Sequence, residues 1–149
     1  MRSYWSLLVA ATSIAAVGLC TSSLAATVSV APGLYEITAQ TLMPHLEESL
    51  RYATTRARQC LGTLEASALF PLLRHEAFAG CSLDHEASSS DTHADFTLRC
   101  SNPQAATGVA HFTLQPDGFQ AVLYVKMGGK NMTLSQRLSA PRLGPCAGD

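Results

Sequence analysis

The chain has 149 residues, of which 47% are hydrophobic and 14% are charged. This length fits one domain, and this composition excludes an intrinsically disordered protein, which combines low hydrophobicity with high charge. Ten lysine and arginine residues against eleven aspartate and glutamate residues give a net charge of −1. The composition therefore lacks the strong positive charge that is typical of nucleic-acid-binding domains.

The N-terminal segment is predicted to be a secretory signal peptide, residues 1–25. A positive start at Arg2 precedes an apolar run from Leu7 to Leu19, and Ser23 and Ala25 supply the small residues at positions −3 and −1. That run is shorter than the roughly 20 residues that span a bilayer, so a membrane anchor is the weaker interpretation. A lipoprotein is disfavoured because Leu19, directly before Cys20, is not small. We expect cleavage near Ala25, an exported (periplasmic or secreted) product, and a single domain over residues 26–149.

The first predicted elements are two strands and a helix. Strand-forming residues fill Gly33–Met43 and Leu50–Cys60. Thr63 is a candidate N-cap for a helix that Pro71 should end near Leu69–Phe70. We expect this helix to cover one end or one face of a sheet.

The next predicted hairpin joins Ala77–Ala87 to Thr92–Ser101. A turn centred between Ser90 and Asp91 would place Cys81 opposite Cys100, Leu83 opposite Leu98 and His85 opposite Phe96. Directly opposed residues are close enough for a disulfide.

Four cysteines remain after the predicted cleavage, and an exported domain of this size favours two disulfides among three possible connectivities. The hairpin register favours Cys81–Cys100, which leaves Cys60–Cys146 by elimination. Each closure would stabilise the fold by roughly 3–5 kcal/mol. Four free thiols are a weaker alternative, and a zinc site is weaker still because no C-x-x-C spacing is present.

Two more hairpins end the chain. A loop at Gly129-Lys130 would pair Met127 with Met132, Val125 with Leu134 and Ala121 with Leu138, which places apolar residues on one face. The Pro116-Asp117-Gly118 turn leaves its register open. A three-residue loop would place Phe112 beside Val122 and Ala110 beside Tyr124, so that both faces of strand Phe119–Met127 would be partly apolar.

The predicted fold class is mainly β. About seven antiparallel strands, one short helix and two disulfides would form a meander, a half-barrel or a small open barrel.

Three short motifs, in order, resemble the bacterial family called domain of unknown function 3617. Residues 31–38 (APGLYEIT) resemble its P-G-L-W-E-x-T opening, Cys60-Leu61-Gly62-Thr63 stands where that family has C-L-T, and residues 142–146 (RLGPC) resemble its R-x-G-x-C ending. Tyr35 replaces the common tryptophan and Gly62 the usual threonine. The resemblance covers residues 31–146 and implies an exported bacterial protein, with no implied activity.

The sequence shows no recognised catalytic machinery. The G-x-S-x-G elbow is missing, and His75-Glu76 lacks the second histidine of a zinc-protease helix. A binding or structural role in the cell envelope is therefore favoured over an enzymatic one, with no cofactor. A hydrolase without a recognised motif is the least favoured alternative.

The predicted binding site is an interior cavity. Gln136 lies opposite Leu123 on the apolar side, and a buried amide needs a partner. A cavity lined by Phe112, Leu123, Val125 and Gln136 would take a small apolar ligand; an envelope protein is the other expected partner. The metal alternative is copper, for which thioether and imidazole are suitable ligands, at Met43, His45, Met127 and Met132. A core pairing of the two later methionines is favoured over that site.

Two polar patches are candidate ion-binding sites, but solvent-exposed surface is the favoured interpretation of both. Arg56 and Arg58 alternate on one side of the second strand together with Tyr52, which could accept an anion. His93 and Asp95 share a face near Glu86, which could hold a cation. His75 and His111 have no partner at motif spacing.

Overall fold

The computed structural model describes residues 30–62, 66–86, 90–102, 106–128 and 132–147. The predicted signal peptide, the Thr63 N-cap, most of the serine turn and the Gly129-Lys130 loop lie outside these residues. Within them, no helix is long and apolar enough to cross a membrane.

Seven antiparallel strands form one open sheet, which confirms the predicted mainly β fold. In chain order they are β1 Gly33–Leu42, β2 Tyr52–Leu61, β3 Cys81–His85, β4 His93–Cys100, β5 Ala106–Gln115, β6 Gly118–Met127 and β7 Met132–Gly144. Their spatial order is β2-β1-β7-β6-β5-β4-β3. Strands β3 to β7 form a meander. The first hairpin, β1 and β2, is added at the β7 side of this meander, because β1 pairs with β7. The sequence predicted sequential hairpins, and the long-range β1–β7 pairing was not among them.

One face of the sheet, which we call the inner face, holds the core. Alternate residues of β1, β4, β5, β6 and β7 are buried there, as the two-residue period of a strand requires. Phe112 lies at the centre of an aromatic cluster, with its ring 5.3 Å from Phe96, 5.7 Å from Phe70 and 6.1 Å from Phe119. Edge-to-face and tilted rings at these distances are favourable aromatic contacts.

The segment between β2 and β3 joins the two edges of the sheet and covers the inner face. It contains helix α1 Ala66–Leu69 and two 3-10 turns, Pro71–Arg74 and Glu76–Phe78. Leu69, Phe70 and Phe78 are its main contributions to the core. The helix ends at Leu69 as predicted, since Pro71 at the first position of the next turn cannot continue it.

The predicted start of the third strand at Ala77 is wrong. Residues 76–78 form a 3-10 turn, in which the Ala77 N–H donates to Nδ1 of His75 at 3.2 Å and Phe78 is buried in the core. The strand begins at Cys81, after the turn in which the Phe78 ring is buried.

The hairpin registers match the prediction in two cases and correct it in a third. Cys81 faces Cys100, and Met127 faces Met132, as expected. At Pro116-Asp117 the loop has two residues, so that Gln115 faces Gly118, Phe112 faces Ala121 and Ala110 faces Leu123. The expected pairs Phe112–Val122 and Ala110–Tyr124 are therefore wrong. The observed register keeps the large core side chains Phe112, Phe119 and Leu123 on the inner face, which a one-residue shift would undo.

Both disulfides have the predicted pairing. Cys81 and Cys100 are directly opposed on β3 and β4, with Cα atoms 3.9 Å apart. Cys60, at the end of β2, is bonded to Cys146 after β7, with Cα atoms 5.7 Å apart. The first bond closes one hairpin, whereas the second joins the edge strand β2 to the C-terminal segment, two strands away in the sheet.

We expect the two disulfides to differ in their contribution to stability. Replacing Cys60 and Cys146 by serine should lower the free energy of unfolding by about 4.5 kcal/mol, and replacing Cys81 and Cys100 by about 3 kcal/mol, because the first pair closes the longer loop. Chemical denaturation of both double variants measures this. Non-reducing peptide mapping that found Cys60 linked to Cys81 would contradict the pairing.

Candidate functional site

The second face of the sheet, which we call the outer face, is the candidate functional surface. In the described residues, the covering segment packs on the inner face, and the outer-face positions of β1, β5, β6 and β7, apart from Gly118, are partly or fully exposed. Hydroxyl, amide and charged side chains occupy most of these positions. The outer face is thus a continuous polar surface on a rigid sheet.

Three neighbouring depressions lie on the outer face. Their volumes are about 420, 280 and 270 Å³. The largest is lined by Thr107, Gly108, Val109, Tyr124, Val125, Lys126, Thr133 and Leu134. The other two share Gln40 and Arg137 and extend from β2 to β6. The depressions therefore form a band across five strands, from β2 to β5.

Arg137 lies at the centre of this band. The register places it between Gln40 on β1 and Val122 on β6. Among the described residues, no salt bridge to its guanidinium group occurs within 4.0 Å, whereas Arg56, Arg58 and Arg99 all have acidic neighbours. Its side chain is exposed, so this cation is available to a ligand.

An apolar and aromatic row runs beside Arg137. Successive strands contribute Tyr52, Leu42, Ser135, Tyr124 and Val109, which face one another from β2 to β5. Tyr52 is 67% exposed, Tyr124 49% and Val109 40%. Exposed aromatic rings beside polar groups are common in binding surfaces, because they give contact area at a small entropic cost.

Charge is divided between the two halves of the outer face. On β2, β1, β7 and β6 the outer positions carry Arg56, Arg58, Arg137 and Lys126 against one carboxylate, Glu36. Glu36 lies 3.3 Å from Nε of Arg58 and 4.0 Å from Nε of Arg56.

The other half, β3 to β5, is richer in carboxylates. The Arg99 side chain pairs with Asp84 at 2.8 Å, and Nδ1 of His111 lies 2.7 Å from Asp95. The basic excess is therefore confined to the half that contains the Arg137 depressions.

The His111–Asp95 pair was missed by sequence reasoning, which gave His111 no partner. The β4–β5 register brings the two residues directly opposite each other, and that register depends on the turn between strands rather than on motif spacing. The cation site weighed at His93, Asp95 and Glu86 is not assembled: Nδ1 of His93 contacts the Thr92 hydroxyl at 2.8 Å, and Glu86 accepts a hydrogen bond from Thr97. In the part of the chain that the structure describes, no group of three histidine, cysteine or acidic residues could hold a metal ion.

The residues of the predicted cavity all lie in the inner-face core. Phe112, Leu123, Val125 and Gln136 are 0–3% exposed, and Phe112 contacts three other rings. Both polar atoms of the Gln136 amide have a partner: its Oε1 accepts from the Leu72 N–H at 3.3 Å, and its Nε2 donates to the Thr41 hydroxyl at 2.6 Å. A ligand among these four side chains stays a prediction.

The residues of the alternative copper site lie at one end of the sheet. Met127 and Met132 are directly opposite each other on β6 and β7, while Met43 follows β1, two strands from β6, and packs against the core. His45 is exposed in the loop after β1. Copper binding by these four residues also stays a prediction.

The three sequence motifs meet at one corner of the sheet, which we call the motif corner. Gly33 of the opening motif faces Leu61 of the second motif, and Leu34 faces Gly144 of the ending motif. The Arg142 guanidinium donates twice to the Pro32 carbonyl, at 2.8 and 3.1 Å from Nη2 and Nε. A side chain at Gly33 could not fit, because a Cβ there would lie 2.5 Å from Nε of Arg142 and 2.6 Å from the Gly144 carbonyl oxygen.

Tyr35 closes the motif corner from the inside. Its ring is buried against Phe119, and its hydroxyl donates to the Ala31 carbonyl at 2.6 Å. Burial raises the pKa of the Tyr35 phenol above its ordinary value, and the nearby Arg142 guanidinium opposes this shift. Tyr35 thus acts as a core aromatic residue with a satisfied polar group.

Comparison with known proteins supports the motif resemblance. Residues 30–146 match the model of the family described as "Protein of unknown function (DUF3617)". The chain belongs to this family. No curated protein and no solved structure matched the chain. In this DUF3617 protein the motif residues lie at a structural corner, whereas Arg137, Tyr124 and Tyr52 lie outside the motifs.

Gln136 should be a main determinant of stability. Gln136→Ala would leave the Leu72 N–H and the Thr41 hydroxyl without their buried partner, and we expect the free energy of unfolding to fall by about 2–3 kcal/mol. Chemical denaturation measures this. Gln120→Ala, at an exposed position of β6, is the matched control, with an expected change below about 0.5 kcal/mol. Equal losses in the two variants would contradict the assigned role.

Gly33 should tolerate no side chain, whereas Gly62 should. A Cβ at Gly33 collides with Arg142 and with the backbone of Gly144, while a Cβ at Gly62 meets nothing within 4 Å. We expect Gly33→Ala to destabilise the protein by roughly 2 kcal/mol and Gly62→Ala by much less. Thermal unfolding of the two variants compares them. Similar melting temperatures of the two variants would contradict the prediction that the motif corner has no room for a Cβ at Gly33.

Proposed function

We propose that this protein is an exported, non-catalytic binding module of the cell envelope, and that it binds its partner with the outer face of the sheet. The observation that carries this proposal is the position of the three depressions. They lie side by side on the face that no described element covers, and they contain two exposed tyrosines and Arg137, for which the described residues provide no acidic partner.

Two disulfides support export. Such bonds persist in oxidising compartments such as the periplasm and the extracellular space, and they are rare in the cytosol. The predicted signal peptide, residues 1–25, agrees with that location. Cleavage near Ala25 would leave residues 26–149, which contain both disulfides and the whole described sheet.

The difference between the buried inner face and the accessible outer face supports a binding function. The inner face is filled by the covering segment and by its own aromatic cluster, which leaves the outer face as the large accessible surface. Because the strands are hydrogen-bonded along their length, the backbone positions from which the outer side chains project are fixed before any partner arrives. A preorganised surface loses less entropy on binding than a mobile loop would.

The position of the histidine–carboxylate pair supports binding over catalysis. His111 and Asp95 are 54% and 41% exposed in their side chains and lie outside the three depressions. General acid–base chemistry favours a pocket that positions a substrate and excludes water. This pair lacks such surroundings and fits a surface ion pair better.

Site-specific photocrosslinking tests the proposed binding face. The full-length protein, with its N-terminal segment, is produced in a Gram-negative host with benzoylphenylalanine at Tyr124 or, as a control, at exposed Ala77 on the covering segment. We expect an adduct after illumination from position 124 and not from position 77, with the protein in the periplasmic fraction and its N-terminus near residue 26.

Two results would contradict the proposal. Retention of the uncleaved chain in the cytoplasm would remove the export step. Adducts that form from position 77 alone, or equally from both positions, would place the binding surface elsewhere.

A further inference from the structure

We infer that the partner of the outer face is an anionic polysaccharide, lying diagonally across β2, β1, β7 and β6. This inference rests on the proposed function and adds the chemical class of the ligand. It depends on three features of the outer face: its local charge, the spacing of its cations, and the neutral groups between them.

The local charge favours an anion. The outer positions of these four strands carry an excess of three positive charges, on a chain whose net charge is −1. Glu36 lies beside Arg56 and Arg58 and balances one of these two charges. The charges of Arg137 and Lys126 are not balanced in this way, because the described residues provide no carboxylate within 4.0 Å of either side chain. Charge complementarity of this kind selects an anionic partner and speeds its association.

The spacing of the cations favours a long ligand. By the strand register, Arg137 is two strands and two residues from Arg56, which is about 12 Å between Cα atoms. Lys126 is one strand and four residues further, at about 14 Å from Arg137. The three lie in sequence along one diagonal. A single phosphate or carboxylate could reach one of these cations, whereas a chain of repeated acidic units could contact all three.

The neutral side chains favour a carbohydrate over an acidic peptide. Hydroxyls and amides fill the positions around the diagonal, namely Thr38, Gln40, Thr54, Gln120, Ser135 and Ser139. They can donate to and accept from sugar hydroxyls, and the exposed rings of Tyr52 and Tyr124 offer flat faces for sugar C–H groups. A peptide obtains much of its affinity from backbone hydrogen bonds at a sheet edge, and this band lies on the face of the sheet.

A binding titration with defined oligomers tests the inference. The mature protein, residues 26–149 with both disulfides intact, is titrated against a fluorescently labelled galacturonic acid octasaccharide, with neutral maltooctaose and octaglutamate as competitors. We expect the labelled acid to bind and octaglutamate to compete more weakly than unlabelled galacturonate. Maltooctaose should not compete. Affinity should fall as the salt concentration rises.

Two arginine variants locate the site. Arg137→Gln should weaken binding about fivefold, because one charge-assisted contact is lost. Arg99→Gln, on the carboxylate-rich half of the same face, is the matched control and should leave the affinity within about twofold. Both arginines are exposed, so neither substitution should affect folding, and equal melting temperatures confirm this.

Three outcomes would overturn the inference: competition by maltooctaose as strong as by galacturonate, stronger competition by octaglutamate, or an equal effect of the two arginine variants. Absence of binding to the acidic sugar, together with a protein adduct from position 124, would also overturn it while leaving the proposed binding face intact. Absence of both would overturn the proposed function as well.

Discussion

A single buried amide joins the two layers of this protein. Gln136 lies on the inner face of β7, the strand through which the first hairpin is attached to the meander. It accepts a hydrogen bond from the backbone of the covering segment at Leu72 and donates one to Thr41 on β1. A polar group this deeply buried is tolerated only when it is fully paired. The pairing ties the covering segment to β1 and β7 on the face where its apolar side chains are buried.

The residues of the three motifs stabilise the sheet at the end opposite to Gln136. Gly33 permits the close approach of Arg142, Arg142 holds the Pro32 carbonyl, and the Cys60–Cys146 bond fastens the edge strand to the C-terminal segment. These contacts close a corner where three distant parts of the chain meet. In this chain the motif residues therefore serve to close one corner of the sheet.

Local sequence patterns allowed most of the strands and hairpins to be predicted. The long-range strand pairing could not be predicted from them. Period-two alternation and turn residues predicted the seven strands, and the apolar match between Cys81–Leu83 and Leu98–Cys100 predicted a disulfide. The β1–β7 pairing has no local signal, since it joins residues about a hundred positions apart. The Pro116-Asp117 register was missed because a two-residue and a three-residue loop both suit that turn. The choice between them depends on keeping the large core side chains of β5, β6 and β7 on one face at once.

The candidate site was harder to predict because sequence reasoning looked for a ligand where the polar Gln136 interrupts the apolar face. The structure uses that residue to hold the covering segment, and the depressions lie on the other side of the same strands. Arg137, the neighbour of Gln136 in sequence, points to the opposite face because side chains alternate along β7. One strand thus carries both the residue that organises the interior and the residue at the centre of the outer band. A substitution that shifted the β7 register by one residue would exchange these two positions, so stability and the outer surface depend on the same register.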